Sequence, residues 1–197
     1  MSATEVLREH KLKLRPIGHT REGKITSLFD SLADQLCFRL NPLFTKPAKG
    51  WYAGMPSLGL LPSQPATQLG LLLAFRVGGR EAASESLRNS VSVWLGVHSD
   101  KLYELCSMSE EQRKIFQDTK TDQKLEDYVS VCAAVATLYS CRVVVIDQSG
   151  YPYQTLVEQK NEPLVVFWNG VFYSSCIPDF ASVSDRLIPS PPLPQSR

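Results

Sequence analysis

No run of apolar residues in this chain approaches the roughly 18 positions that a membrane-spanning helix needs. Charge of one sign is scarce too. Against 21 basic residues stand 20 acidic ones, a net charge of +1, and no dense Lys/Arg run is present to follow a phosphate backbone or an anionic membrane. Neither nucleic acid nor membrane is expected as a partner. The first residues, MSATEVLREHKLKLR, are too polar for a signal peptide, so the expected location is the cytoplasm. Cysteine is present but lacks C-x-x-C spacing: Cys37, Cys106, Cys132, Cys141 and Cys176 are odd in number and sit mostly among apolar residues, as reduced core thiols do. A zinc site is not expected on that spacing, no cofactor is implied, and no internal repeat is visible.

What remains is ample for a globular fold. With 197 residues, 43% hydrophobic and 21% charged, the chain can bury one good core and carry tails. Residues 1–19 are charged, with a weak helical pattern in Val6, Leu7 and Leu14, and read as a lead-in arm. From Thr26 onward, Leu28, Phe29, Leu32 and Leu36 share one face at helical spacing, with Ser27 in the first turn. Residues 41–79 hold Pro42, Pro47, Pro56, Pro62 and Pro65, which break regular structure. They also hold Trp51, Tyr52, Leu58, Leu60 and Leu61 and an apolar run over 71–75, so the region reads as an ordered insertion with a short helix near 68–75.

A clearer helix is expected next, with Ser84 as its cap and Leu87, Val91, Trp94 and Leu95 on one face. Short helical pieces over 101–106 and 110–116 follow, and then a long amphipathic helix runs from Leu125 through Tyr139. After it RVVVID is a β-branched run typical of a sheet centre. An edge strand over 151–157, an apolar strand over 164–168, an Asn169-Gly170 hairpin turn and a returning strand over 171–176 complete the order. Helices first and sheet last make an α+β layout.

The stretch GKITSLFDSLADQL, residues 23–36, resembles the N-terminal motif of the ovarian tumour (OTU) family of cysteine deubiquitinases, in which Asp-Gly-Asn-Cys leads into a helix. Leu28, Phe29, Ser31, Leu32, Ala33, Asp34, Gln35 and Leu36 match that helix. LRNSVSVWL is similar to the family's second helix, DQKLEDYVSVCAAVATLYSCRVVVID to its helix-then-strand unit, and NGVFYSS to its closing Gly-Gly-His-Tyr-Asp-Ser segment. The resemblance covers residues 20–178. It implies a papain-related cysteine protease fold with helices packed on a small, mostly antiparallel sheet, an insertion over 41–79, and a Pro-rich tail over 179–197.

The departures fall on the chemistry. Carried over by position, the nucleophilic cysteine becomes Ser27, the segment before it becomes Lys24-Ile25-Thr26, and the base histidine becomes Phe172, with Tyr173 alone kept from the His-Tyr pair. A thiolate nucleophile needs an imidazole to take and return its proton, and a serine depends on one still more heavily. The lost glycine also removes backbone freedom that the oxyanion loop uses. The resemblance therefore implies a pseudo-deubiquitinase, not an enzyme.

Plain structural roles stand beside these readings. Ser27 reads as a helix N-cap, Phe172 as a core aromatic in the space of an imidazole, and Cys37 as a buried thiol one turn too late for a nucleophile. His19 and His98, the latter followed by Asp100, are candidate substitute bases and equally ordinary surface or cap residues. Such a domain is a protein-interaction or scaffold module, with ubiquitin or a ubiquitin-like protein as candidate partner. Trp51, Tyr52 and Met55 are residue types enriched at interfaces if exposed, and core if packed inward. The alternative is an active hydrolase using Ser27 or another nucleophile. Arg186, Pro189 and Pro192 fit the Arg-x-x-Pro-x-x-Pro pattern bound by Src-homology-3 domains, and equally a spacer.

Overall fold

The computed structural model describes residues 2–15, 23–40, 65–98, 100, 102, 109–150, 152–155 and 163–179. Its sheet has the strand order β1-β5-β4-β2-β3, with β1 Leu12–Leu14, β2 Val143–Asp147, β3 Pro152–Gln154, β4 Leu164–Trp168 and β5 Tyr173–Pro178. β2 and β4 are parallel, and the other pairings are antiparallel. The two β-branched runs became the central parallel pair because their alternate residues are buried on opposite faces. Proline is tolerated in β3 because it is an edge strand.

The helices are α1 Ala3–Glu9, α2 Lys24–Leu40, α3 Pro65–Val97, α4 Glu110–Asp118, α5 Thr121–Lys124 and α6 Tyr128–Leu138. α2 and α6 pack on one face of the sheet and α3 packs on both of them, so that Leu28, Leu32, Leu87, Leu95, Val135, Val143 and Val166 share the main core. α1 covers the other face, burying Val6 and Leu7 against Ile146, Phe167 and Cys176. The mixed helix-and-sheet layout matches the expectation from sequence.

Several local expectations are corrected. The lead-in arm is part of the fold: Ser2 and Glu5 form a capping box that starts α1, and β1 pairs with the far half of β5. The helix near 68–75 and the one after it are both present as the two parts of α3, but they meet at Gly79, whose φ of 71° and ψ of −156° break the helix and suit glycine alone. Ser84 is therefore no cap but a buried residue past the kink. The helix expected from Leu125 starts at Tyr128, because Asp127 caps it by accepting the N–H of Val129 and Ser130. α6 is buried from Ser130 to Ala136 rather than on one stripe, since it lies between α3 and the sheet.

β5 also begins later than its alternation suggested. Trp168 pairs with Tyr173, leaving a four-residue turn over 169–172. The Asn169 side chain accepts the N–H of both Val171 and Phe172, at 2.9 Å each, and Gly170 takes φ +95°. That turn carries Phe172 out of the strand.

Candidate functional site

The residues that the sequence aligned with a nucleophile and a base belong to the start of α2 and the start of β5, and the fold brings these two elements together. Gly23, at φ +129°, turns the chain into the helix, and its carbonyl accepts the Ser27 N–H at 3.0 Å. Ser27 is thus the fourth residue of α2 and not its N-cap. Its Oγ donates to the Lys24 carbonyl at 2.7 Å and accepts the Tyr173 N–H at 2.9 Å. The side chain is buried, at 1% exposure. Both of its partners are backbone groups, and neither can take a proton. The hydroxyl works as a staple between α2 and β5.

Phe172 does not fill the space of an imidazole. It is 37% exposed, because the Asn169-held turn places it outside β5. Tyr173, next in the chain, is buried instead. Its ring lies 4.6 Å from that of Trp168 and 6.4 Å from that of Tyr128, which in turn meets Tyr153 edge-on at 5.6 Å. Lys24 is exposed, yet its Nζ stands 4.9 Å from the Trp168 ring centre and 6.0 Å from that of Tyr128. Burial pushes the Tyr173 phenol well above its ordinary range, so at neutral pH it stays protonated. Thr26 is half-buried, and Ile25 packs in the core.

Two polar residues of the helix motif, Asp34 and Gln35, hold the fold together. The Asp34 carboxylate, 3% exposed, meets Arg15 Nε at 2.7 Å and Arg80 Nε at 3.2 Å, and accepts from Ser175 Oγ at 3.1 Å. It joins the end of β1, the kink of α3 and β5, and its buried charge is compensated by those partners. Gln35 does related work on the sheet. β5 pairs with β4 only over Ser175 to Tyr173 and then turns to β1. At the split the Gln35 amide accepts the Val165 N–H at 2.9 Å and donates to the Val165 carbonyl, standing in for the missing strand.

Cys37 is buried, and burial, with the nearby Asp34 charge, pushes its thiol up to about 12. A thiol held there has no appreciable thiolate at neutral pH. His98 closes α3, packed edge-on against Trp94 at 5.5 Å. Trp51, Tyr52, Met55, Arg186, Pro189, Pro192 and His19 lie outside the described residues. Among the described residues no group of three His, Cys, Asp or Glu side chains is placed to hold a metal ion, and no helix is long and apolar enough to cross a membrane.

The sequence reading missed the aromatic group of Tyr128, Tyr153, Trp168 and Tyr173. Its members sit on four separate elements, and each alone resembles an ordinary core residue.

No protein-family model matches the chain, and no curated protein does. Among solved structures it is similar to a chain in "The structure of h/ceOTUB1-ubiquitin aldehyde-UBCH5B~Ub", at 11% identity and a TM-score of 0.35. That likeness covers 77% of this chain and 64% of the other.

Proposed function

We propose that this chain is a catalytically inactive, OTU-like domain of papain-related fold that acts in the cytoplasm as a protein-interaction or scaffold module, with ubiquitin or a ubiquitin-like protein as candidate partner. The observation that carries this reading is the state of Ser27. A serine nucleophile must be reachable and must face a group that takes its proton. Here the hydroxyl is 1% exposed and committed in both directions to backbone, while the position aligned with the base carries a phenylalanine. The order of the four sequence motifs supports the OTU part of the reading, and the meeting of Ser27 with Tyr173 is what that order requires of the fold.

Two measurements on the full chain test it. Incubation with a fluorogenic ubiquitin C-terminal reporter should give no turnover above buffer, and turnover that vanished in Ser27→Ala would overturn the inactive reading. Titration with labelled ubiquitin tests the partner. Saturable micromolar binding supports ubiquitin, whereas its absence together with a stable partner of another kind would leave the scaffold role and remove ubiquitin.

A further inference from the structure

We propose that Trp168 and Tyr128 form a docking site for a lysine-type alkylammonium group of a protein partner, and that Lys24 of the same chain fills this site in the free protein. The inference goes beyond the inactive-domain reading and needs neither ubiquitin nor catalysis.

The first support is the occupant. Lys24 opens α2 and is exposed, so its side chain is free to extend into water. Its ammonium nevertheless stands over two ring faces, at 4.9 Å from Trp168 and 6.0 Å from Tyr128, within the range at which a ring quadrupole attracts a cation. Tryptophan gives the strongest such face.

The second support is that the walls stand without the occupant. Trp168 leans on Tyr173 at 4.6 Å, and Tyr128 is braced by Tyr153 at 5.6 Å and Tyr173 at 6.4 Å. Tyr173 is itself pinned, since its N–H is held by Ser27 Oγ. Moving Lys24 aside therefore leaves two ring faces in place, and a preformed site spends little of its binding energy on ordering. Trp168 and Tyr128 are both half-buried, so their remaining surface is open to a ligand.

The third support is the weak hold on Lys24. An exposed cation–π contact of ordinary strength favours the filled state only about two- to fivefold. A partner ammonium that brings further contacts of its own displaces such an occupant readily, and the internal lysine then weakens binding by roughly three- to sixfold.

The test uses the full chain labelled with nitrogen-15. Of its three tryptophans, the indole N–H signal of Trp168 is assigned by its loss in Trp168→Leu. Tetramethylammonium chloride is titrated against sodium chloride at equal ionic strength and against tert-butanol, a neutral group of the same shape. A saturable shift of the Trp168 signal with tetramethylammonium alone is expected, its dissociation constant falling roughly three- to sixfold in Lys24→Met and rising in Tyr128→Leu. Equal shifts with tert-butanol, a shift that never saturates, or no tightening in Lys24→Met would each overturn the proposal. Should Trp168→Leu fail to fold, the signal is assigned by elimination with Trp51→Phe and Trp94→Phe, so the result does not depend on that one variant. Failure of ubiquitin to bind leaves this outcome untouched.

Discussion

Replacing Gln35 by glutamate should make the stability of the domain fall with rising pH in a way that the parent's does not. In the parent the amide both accepts the Val165 N–H and donates to the Val165 carbonyl, at a site where the side chain is 5% exposed. A protonated glutamic acid can do both. An ionised one can only accept, which leaves the Val165 carbonyl without a donor and a charge in a poorly hydrated gap. An unsatisfied buried group costs about 1 to 3 kcal/mol, so the folded state holds the proton more tightly than the unfolded chain does. The folded pKa is then raised above the unfolded value of about 4.3 by roughly one to two units, at about 1.4 kcal/mol for each. The sign follows from linkage. The native state binds more protons, so the contribution is fully present below about pH 4.3 and is lost as pH rises through the folded pKa. Urea unfolding of parent and Gln35→Glu at pH 4 and pH 7.5 reads the difference directly, and the gap between the two proteins should widen by about 1 to 3 kcal/mol at the higher pH. Gln35→Leu, which loses both bonds, should be destabilised by about 2 to 6 kcal/mol at either pH. A Gln35→Glu gap that stayed constant with pH, or a Gln35→Leu protein as stable as the parent, would refute the role of Gln35 at the split.

Ser27→Ala removes the acceptor of the buried Tyr173 N–H, a loss of about 1 to 3 kcal/mol that the better helix propensity of alanine offsets by about half a kcal/mol. A net cost of roughly 1 to 2 kcal/mol in urea, with faster exchange of the Tyr173 amide hydrogen, is expected; an unchanged amide would show that the bond does not form. Cys37 and Cys176, both pushed up to about 12 by burial, should resist iodoacetamide at pH 8 in the native protein and react in urea. Mass spectrometry of tryptic peptides checks this, and native labelling at the unfolded rate would contradict the packing of α2 and β5.

Much of the fold was readable from periodicity, because the pattern of each element is local. Leu28, Phe29, Leu32 and Leu36 mark α2 by their spacing, and all are buried as expected. The run that became β2 announced itself by its β-branched content and the run that became β4 by its apolar character. β1 did not, since three residues with one lysine carry too little pattern, and its existence rests on pairing with residues more than 160 positions away. The capping box of Ser2 and Glu5 was there to be read, and with the helical spacing of Val6 and Leu7 it was a local sign that the first residues belong to the fold. Asn169-Gly170 marked the turn correctly, but its length was set by the Asn169 side chain, and that length moved Phe172 to the surface.

The candidate site divides in the same way. Composition, motif order and the presence of Ser27 and Phe172 at the two positions that the OTU resemblance aligns with a nucleophile and a base are properties of the chain itself, and the inactive reading proposed above starts from them. What Ser27 does instead was decided only in three dimensions, because its acceptor role is toward a backbone N–H 146 positions away. The same holds for Gln35 and Val165, 130 positions apart, and for the rings of Tyr128, Tyr153, Trp168 and Tyr173. A local pattern records which face of an element is apolar, since that follows from the spacing of its own side chains. It does not record which distant group satisfies a buried hydroxyl or amide, because that partner is chosen only when the elements pack and buried polar groups find their partners.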